Sequence, residues 1–183
     1  MNLRTEIFHS PYWLQTCDRL KYCADILIRD LMKEKDFSKR KADSVLFDMK
    51  LRALLETNLL LLGYALENGI KALLISNFIK DNSVPENADL KFLKTVVWKN
   101  CHDHNLSQLA KVSNLNLNSD ELNLLVKLKK YIQWKGRYHL PSKQEEIADL
   151  INPGIGDTHT SNDQFLAEQI IDKIKQQIKS NRS

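Results

Sequence analysis

The chain has 183 residues, of which 43% are hydrophobic and 27% are charged, as in a soluble globular protein with one sizeable core. Five glycines and four prolines are too few for many tight turns, so the composition disfavours a sheet-rich fold and favours long helices. The net charge of +4 allows an acidic partner such as RNA but does not require one.

The first two predicted helices are long. Ser10 and Pro11 are a serine N-cap and a proline at the first helical position, and apolar residues then recur every three or four positions until about Lys33. The second helix is predicted over about residues 42–80. It carries apolar residues on two faces, which indicates a central helix packed on several sides. Gly63 lies inside it at a cost of about 1 kcal/mol relative to alanine, so we expect another chain segment to approach closely there.

Shorter helices follow a polar loop at residues 81–88. One helix is predicted over about residues 88–100, and a second begins just after Asn105. Asn118 and Glu121 have the spacing of a capping box, in which each side chain bonds the backbone of the other residue. The helix that starts there should end at Gly136. Its predicted buried face consists of Leu122, Leu125, Leu128 and Ile132.

Two further helices are predicted near the C-terminus, a short one from Ser142 and a terminal one from Ser161, each starting with a capping-box spacing. The inner stripe of the terminal helix consists of Ala167, Ile170, Ile174 and Ile178. The pattern therefore predicts an all-α protein, an up-and-down helical bundle forming a single domain. Its core covers about residues 10–141, and residues 142–183 are a C-terminal helical extension.

The cysteines and the hydropathy pattern indicate the compartment. Cys17, Cys23 and Cys101 are an odd and scattered set, unlike the framework of a disulfide-stabilised secreted protein. The first ten residues are too polar for a signal peptide. The apolar stretch at residues 59–66 is interrupted by charges from Glu67 onward, well short of a membrane span. We therefore expect a cytoplasmic protein without a membrane segment.

Three segments of the predicted bundle carry charged or polar side chains in a distinctive order, the first of them inside an otherwise apolar helix. They are residues 64–74 (YALENGIKALL), 102–109 (HDHNLSQL) and 131–138 (YIQWKGRY). In this order they resemble the HEPN superfamily (higher eukaryotes and prokaryotes nucleotide-binding), a family of small helical-bundle proteins. The resemblance extends from about residue 51 to residue 141. It implies an RNA- or nucleotide-associated protein of the toxin–antitoxin or phage-defence type that forms a homodimer and uses no cofactor.

The resemblance assigns roles to residues of the third segment. HEPN ribonucleases carry an arginine followed four to six residues later by a histidine; the arginine stabilises phosphate charge and the histidine is the general acid or base. Here Arg137 is followed by His139, so that spacing is not met. The resemblance therefore implies a binding or partner module with a degenerate catalytic motif. The alternative is an active metal-independent endoribonuclease that uses Arg137 and a histidine, with His139 the nearest, at a dimer interface.

The same resemblance extends to Tyr138 and to the second helix. The Arg137-Tyr138 pair is similar to that of the nucleotide-associated HEPN branch, whose members work with a nucleotidyltransferase-type or antitoxin partner. Glu67 on the second helix would orient Arg137, and Lys71 would add a point charge to the binding site. In the purely structural alternatives, Glu67 and Lys71 form an ordinary ion pair one turn apart, and Arg137 bonds helix-end carbonyls.

His102, Asp103 and His104 are the last candidate group. A zinc site needs three or four converging ligands, which this segment alone does not supply, so we predict no metal. The structural interpretation is that this segment caps the helix beginning near Asn105. In the HEPN resemblance, either His102 or His104 is the counterpart of a histidine that opens a bundle helix and lines the binding site. An unrelated helical scaffold protein remains a further alternative for the whole chain.

Overall fold

A computed structural model describes residues 7–37, 44–99, 101, 104–135 and 162–182, with side chains described except at residues 34–37, 44–48, 134 and 135. These ranges contain six helices and no strand, which confirms the predicted all-α bundle. The helices are α1 (Ser10–Phe37), α2 (Ser44–Asp81), α3 (Leu90–Phe92, continued by a π-helical turn Leu93–Val97), α4 (Leu106–Val112), α5 (Ser119–Lys130, continued by a π-helical turn Tyr131–Lys135) and α6 (Asn162–Ser180).

The central element is α2, around which α1, α5 and α6 pack. Five of its buried leucine and isoleucine side chains lie on one face of the helix and belong to one continuous core. These are Leu59, Leu62, Leu66, Ile70 and Leu73. The inner stripe predicted for α6, from Ala167 to Ile178, is buried in the same core. The predicted boundary of the C-terminal extension near residue 142 lies outside the described residues.

Polar contacts along α2 fix the direction of its neighbours. The buried Asn58 donates to the Ala24 carbonyl of α1 at 2.6 Å and accepts from Gln164 of α6 at 2.9 Å. At the other end of α2, Asn181 just after α6 donates to Ser76 at 3.2 Å. Therefore α6 runs parallel to α2, and the buried amide of Asn58 ties three helices together at one level.

Two glycines of α2 mark close helix contacts. A Cβ atom at Gly63 would lie 2.5 Å from Cγ1 of Ile132, so α5 packs against α2 at a distance that only glycine permits, as predicted. At Gly69, a Cβ atom would lie 3.2 Å from Sγ of Cys17 in α1 and from Cδ1 of Ile174 in α6. The contacts of Asn58 and Gly69 together show that α1 runs antiparallel to α2.

The helix α5 also runs antiparallel to α2. Asn77 of α2 donates to the Ser113 carbonyl ahead of α5 at 2.9 Å, whereas Ile132 at the end of α5 meets Gly63, four turns earlier along α2. The predicted capping box at the start of α5 is present. The prediction that Leu122 is buried is wrong, because its side chain is 41% exposed. The buried face instead begins at Glu121, which pairs with α6, and continues through Leu124 and Leu125.

One helix has the length and apolar composition of a membrane span, although the sequence led us to expect none. The segment Met49–Asp81 of α2 is long and apolar enough to cross a membrane by length and composition. Of its most apolar window, 72% is buried inside the bundle. Burial of that kind is equally a property of the core helix of a soluble protein.

Candidate functional site

The candidate site is built around Glu67, a carboxylate that α2 places in a nearly closed position. Its side chain is only 7% exposed. One carboxylate oxygen, Oε1, accepts a hydrogen bond from Lys71 Nζ at 2.6 Å, and the other, Oε2, lies 2.8 Å from His104 Nδ1. Lys71 is one helical turn further along α2, whereas His104 comes from the segment that precedes α4. The structure therefore brings together three of the predicted site residues.

His104 reaches Glu67 from an unusual backbone conformation. Its φ of 58° lies in the left-handed region, which residues other than glycine adopt at a cost of about 1–2 kcal/mol. The interpretation of His104 as a helix cap is wrong, because Asn105 caps α4: its side chain accepts from the Gln108 backbone N–H. The imidazole is consequently available to α2, and about a third of that side chain (34%) is exposed to solvent.

An aromatic ring contacts each of the two hydrogen-bond partners of Glu67. Lys71 Nζ lies 4.5 Å from the centroid of the Trp98 ring, a cation–π distance. The edge of Tyr64, three residues before Glu67 on α2, contacts His104 with the ring centroids 5.9 Å apart. Trp98 packs edge-on against Trp13, with the ring centroids 5.2 Å apart. Within the described residues, the buried Nε1 of Trp98 has no hydrogen-bond acceptor.

The electrostatics of the cluster favour an ionised Glu67. Burial raises the pKa of this carboxyl, but the hydrogen bonds from His104 and Lys71, together with the positive charge of Lys71, outweigh burial and leave the pKa below its ordinary value. Glu67 and Lys71 then cancel in charge. With a neutral imidazole the cluster carries no net charge, so it is polar and hydrogen-bonding rather than strongly cationic.

The remaining predicted site residues, Arg137, Tyr138, His139 and His102, lie outside the described residues. The last described turn of α5 packs at Gly63, which is one turn from Glu67 on the same face of α2, about 6 Å along its axis. Sequence reasoning missed the roles of Tyr64 and Trp98. The helical spacing of Tyr64, Glu67 and Lys71 was a usable signal for the first, whereas no sequence pattern connects Trp98 with Lys71.

Two further observations concern metal binding and similarity to known proteins. In the ranges that the structure describes, no three His, Cys, Asp or Glu side chains converge in a way that could hold a metal ion. The chain matches no protein-family model, no curated protein and no solved structure. The assignment of the site therefore depends on its own geometry and on the resemblance of the sequence segments.

Proposed function

We propose that this protein is a HEPN-type binding module for RNA or a nucleotide, cytoplasmic and homodimeric, in a toxin–antitoxin or phage-defence system. The observation that carries the proposal is the shared carboxylate of Glu67, which holds Lys71 and a partly exposed His104 beside two aromatic rings. Trp98 is buried and Tyr64 is half-buried, so Tyr64 is the ring that offers an aromatic surface; such a surface next to cationic and hydrogen-bonding side chains is an ordinary component of nucleotide sites.

A purely structural role does not account well for this arrangement. An ion pair with Lys71 alone satisfies the charge of Glu67, and a buried ion pair adds little net stability compared with apolar packing. The second partner, His104, is reached only through a left-handed backbone conformation. Strain of that kind is concentrated at binding and catalytic sites.

An anionic ligand needs a positive charge beyond this cluster, because Glu67 and Lys71 cancel. The resemblance assigns that charge to Arg137. The last described turn of α5 lies on the Glu67 face of α2, at Gly63, one helical turn from Glu67. A guanidinium can bond a carboxylate with one edge and a phosphate with the other.

The module acts beside a second protein rather than as a nuclease on its own. The spacing between Arg137 and His139 differs from that of HEPN ribonucleases, so the resemblance favours a binding or partner role with a nucleotidyltransferase-type or antitoxin protein. The same resemblance implies a homodimer, since composite HEPN sites form between two copies. Light scattering at high micromolar concentration measures the dimer directly, and a monomer there contradicts a shared site.

Titrations of a short single-stranded RNA and of ATP test the proposal. At low salt, where phosphate contacts are strongest, we expect Arg137→Ala to bind at least about tenfold more weakly than the wild type. Lys71→Met should also weaken binding, whereas Lys94→Met, which removes an exposed α3-region lysine, serves as the matched control. Equal affinity of wild type and Arg137→Ala, or no binding of either ligand, contradicts the proposal.

A further inference from the structure

We propose that His104 makes this site selective for ribonucleotides over deoxyribonucleotides, by accepting a hydrogen bond from a ribose 2′-hydroxyl at Nε2. The inference rests on the proposed function and specifies its ligand class. It follows from three features of the described residues: the proton arrangement that Glu67 imposes on the imidazole, the exposure of the ring, and the charge balance of the cluster.

Glu67 fixes which ring nitrogen of His104 carries a proton. An ionised carboxylate only accepts hydrogen bonds, so the 2.8 Å contact requires a proton on Nδ1. The lowered pKa of Glu67 keeps the carboxylate ionised. In the neutral imidazole, Nε2 is then a hydrogen-bond acceptor with its lone pair directed away from Nδ1. Within the described residues, Nε2 makes no hydrogen bond.

The ring is held in position, yet it remains accessible. Glu67 anchors Nδ1 from a buried position, and the Tyr64 ring contacts the imidazole edge-on, so the ring is restrained on two sides. About a third of the side chain is exposed to solvent, and a ligand would approach the ring from there. An acceptor that is fixed before binding costs little conformational entropy when a ligand donates to it.

The charge balance favours a neutral donor at this position. A lone pair on Nε2 repels phosphate oxygens, and Lys71 is already engaged by Glu67 and by the Trp98 ring. The donor that ribonucleotides have and deoxyribonucleotides lack is the 2′-hydroxyl.

Because His104 is partly exposed, water replaces the missing donor when DNA binds. We therefore expect a preference of about tenfold, the value of one net hydrogen bond, and not the much larger factors of fully buried sites.

The test compares RNA and DNA oligonucleotides of one sequence built only from adenine and cytosine, so that the sugar is their sole difference. A 2′-O-methyl version keeps the oxygen but removes the donor. At pH 8.5, where histidine side chains are ordinarily neutral, the wild type should bind the RNA about tenfold more tightly than either of the other two.

The informative variant is His104→Asn. The asparagine amide nitrogen can occupy the position of Nδ1 and donate to Glu67, and asparagine tolerates the left-handed backbone, but the side chain has no counterpart of Nε2. We expect RNA affinity to fall to the DNA value in a variant that keeps the helical circular dichroism spectrum of the folded wild type. His9→Asn, at an exposed histidine outside the cluster, is the matched control and should retain the full preference.

The outcomes separate this inference from the function on which it rests. Equal binding of RNA and DNA by the wild type overturns selectivity by His104 and leaves a nucleic-acid-binding module. A preference for RNA that survives in a folded His104→Asn protein assigns the discrimination to another residue and overturns the inference. Binding of none of the oligonucleotides, at low salt and with ATP also inactive, removes both the function and the inference.

Discussion

Among the residues that the structure describes, Lys127–Asp163 and Glu67–Lys71 are two buried ion pairs that differ in their surroundings. Lys127 of α5 bonds Asp163 of α6 at 2.7 Å, with both side chains less than a tenth exposed. Glu67 is equally enclosed in its ion pair with Lys71, but its second hydrogen-bond partner, His104, is partly exposed to solvent. The first pair joins two helices inside the bundle, whereas the second connects the bundle interior with its surface. Burial of a charge therefore does not by itself point to a binding site. A buried charge is a better candidate when solvent or a ligand can reach one of its hydrogen-bond partners.

The strongest test of this contrast changes the residue next to Glu67. Leu66 is completely buried on α2, so Leu66→Asp places a carboxylate in the core one position away from a site where a carboxylate is stable. Without a partner, that charge should destabilise the protein by more than about 4 kcal/mol, enough to abolish cooperative unfolding. Thermal denaturation followed by circular dichroism measures this. A midpoint close to that of the wild type contradicts α2 as the central helix.

The two ion pairs themselves should respond unequally to the loss of a lysine. Lys127→Met removes a charge-assisted hydrogen bond to the buried carboxylate of Asp163, and we expect a loss of about 2–3 kcal/mol. Lys71→Met leaves Glu67 bonded to His104 near the surface, so the loss should be only about 1–2 kcal/mol. Denaturant titrations of the two variants give the difference. Equal losses in the two single variants refute the contrast.

The helices were predictable from the sequence because the signals for them are local. The capping box of Asn118 and Glu121 and the glycine contact at Gly63 are set by side-chain types at fixed spacings. The contact between Glu67 and His104 was not predictable, since 37 residues separate them and the packing of α4 on α2 decides their distance. The prediction that Leu122 is buried was wrong for a similar reason. The ion pair between Glu121 and α6 sets the rotation of α5 about its axis, and no local pattern encodes that pair.

The pH dependence of stability reports on Glu67. Because the folded protein holds the pKa of Glu67 below its ordinary value of 4.5, the unfolded chain binds this proton more readily. The contribution of Glu67 to stability is therefore fully present above pH 4.5 and is lost as the pH falls through the lower pKa of the folded state. Glu67→Gln removes this dependence. The difference in thermal midpoint between wild type and Glu67→Gln should shrink steadily below pH 4.5, and a constant difference contradicts an ionised, hydrogen-bonded Glu67.

The smallest expected effect concerns RNA cleavage by the isolated chain, for which we predict weak or no activity. His139 is two residues from Arg137 instead of the usual four to six, and in the proposed site His104 serves to bind ribose. Incubation of labelled RNA with the protein in the presence of a chelator measures metal-independent cleavage.

In an extended segment, side chains two residues apart point to the same side, so Arg137 and His139 are able to converge on one phosphate. Robust cleavage that disappears in Arg137→Ala or His139→Ala therefore establishes the active endoribonuclease instead. Cleavage lost in His104→Asn but retained in His139→Ala makes the histidine held by Glu67 the catalytic one.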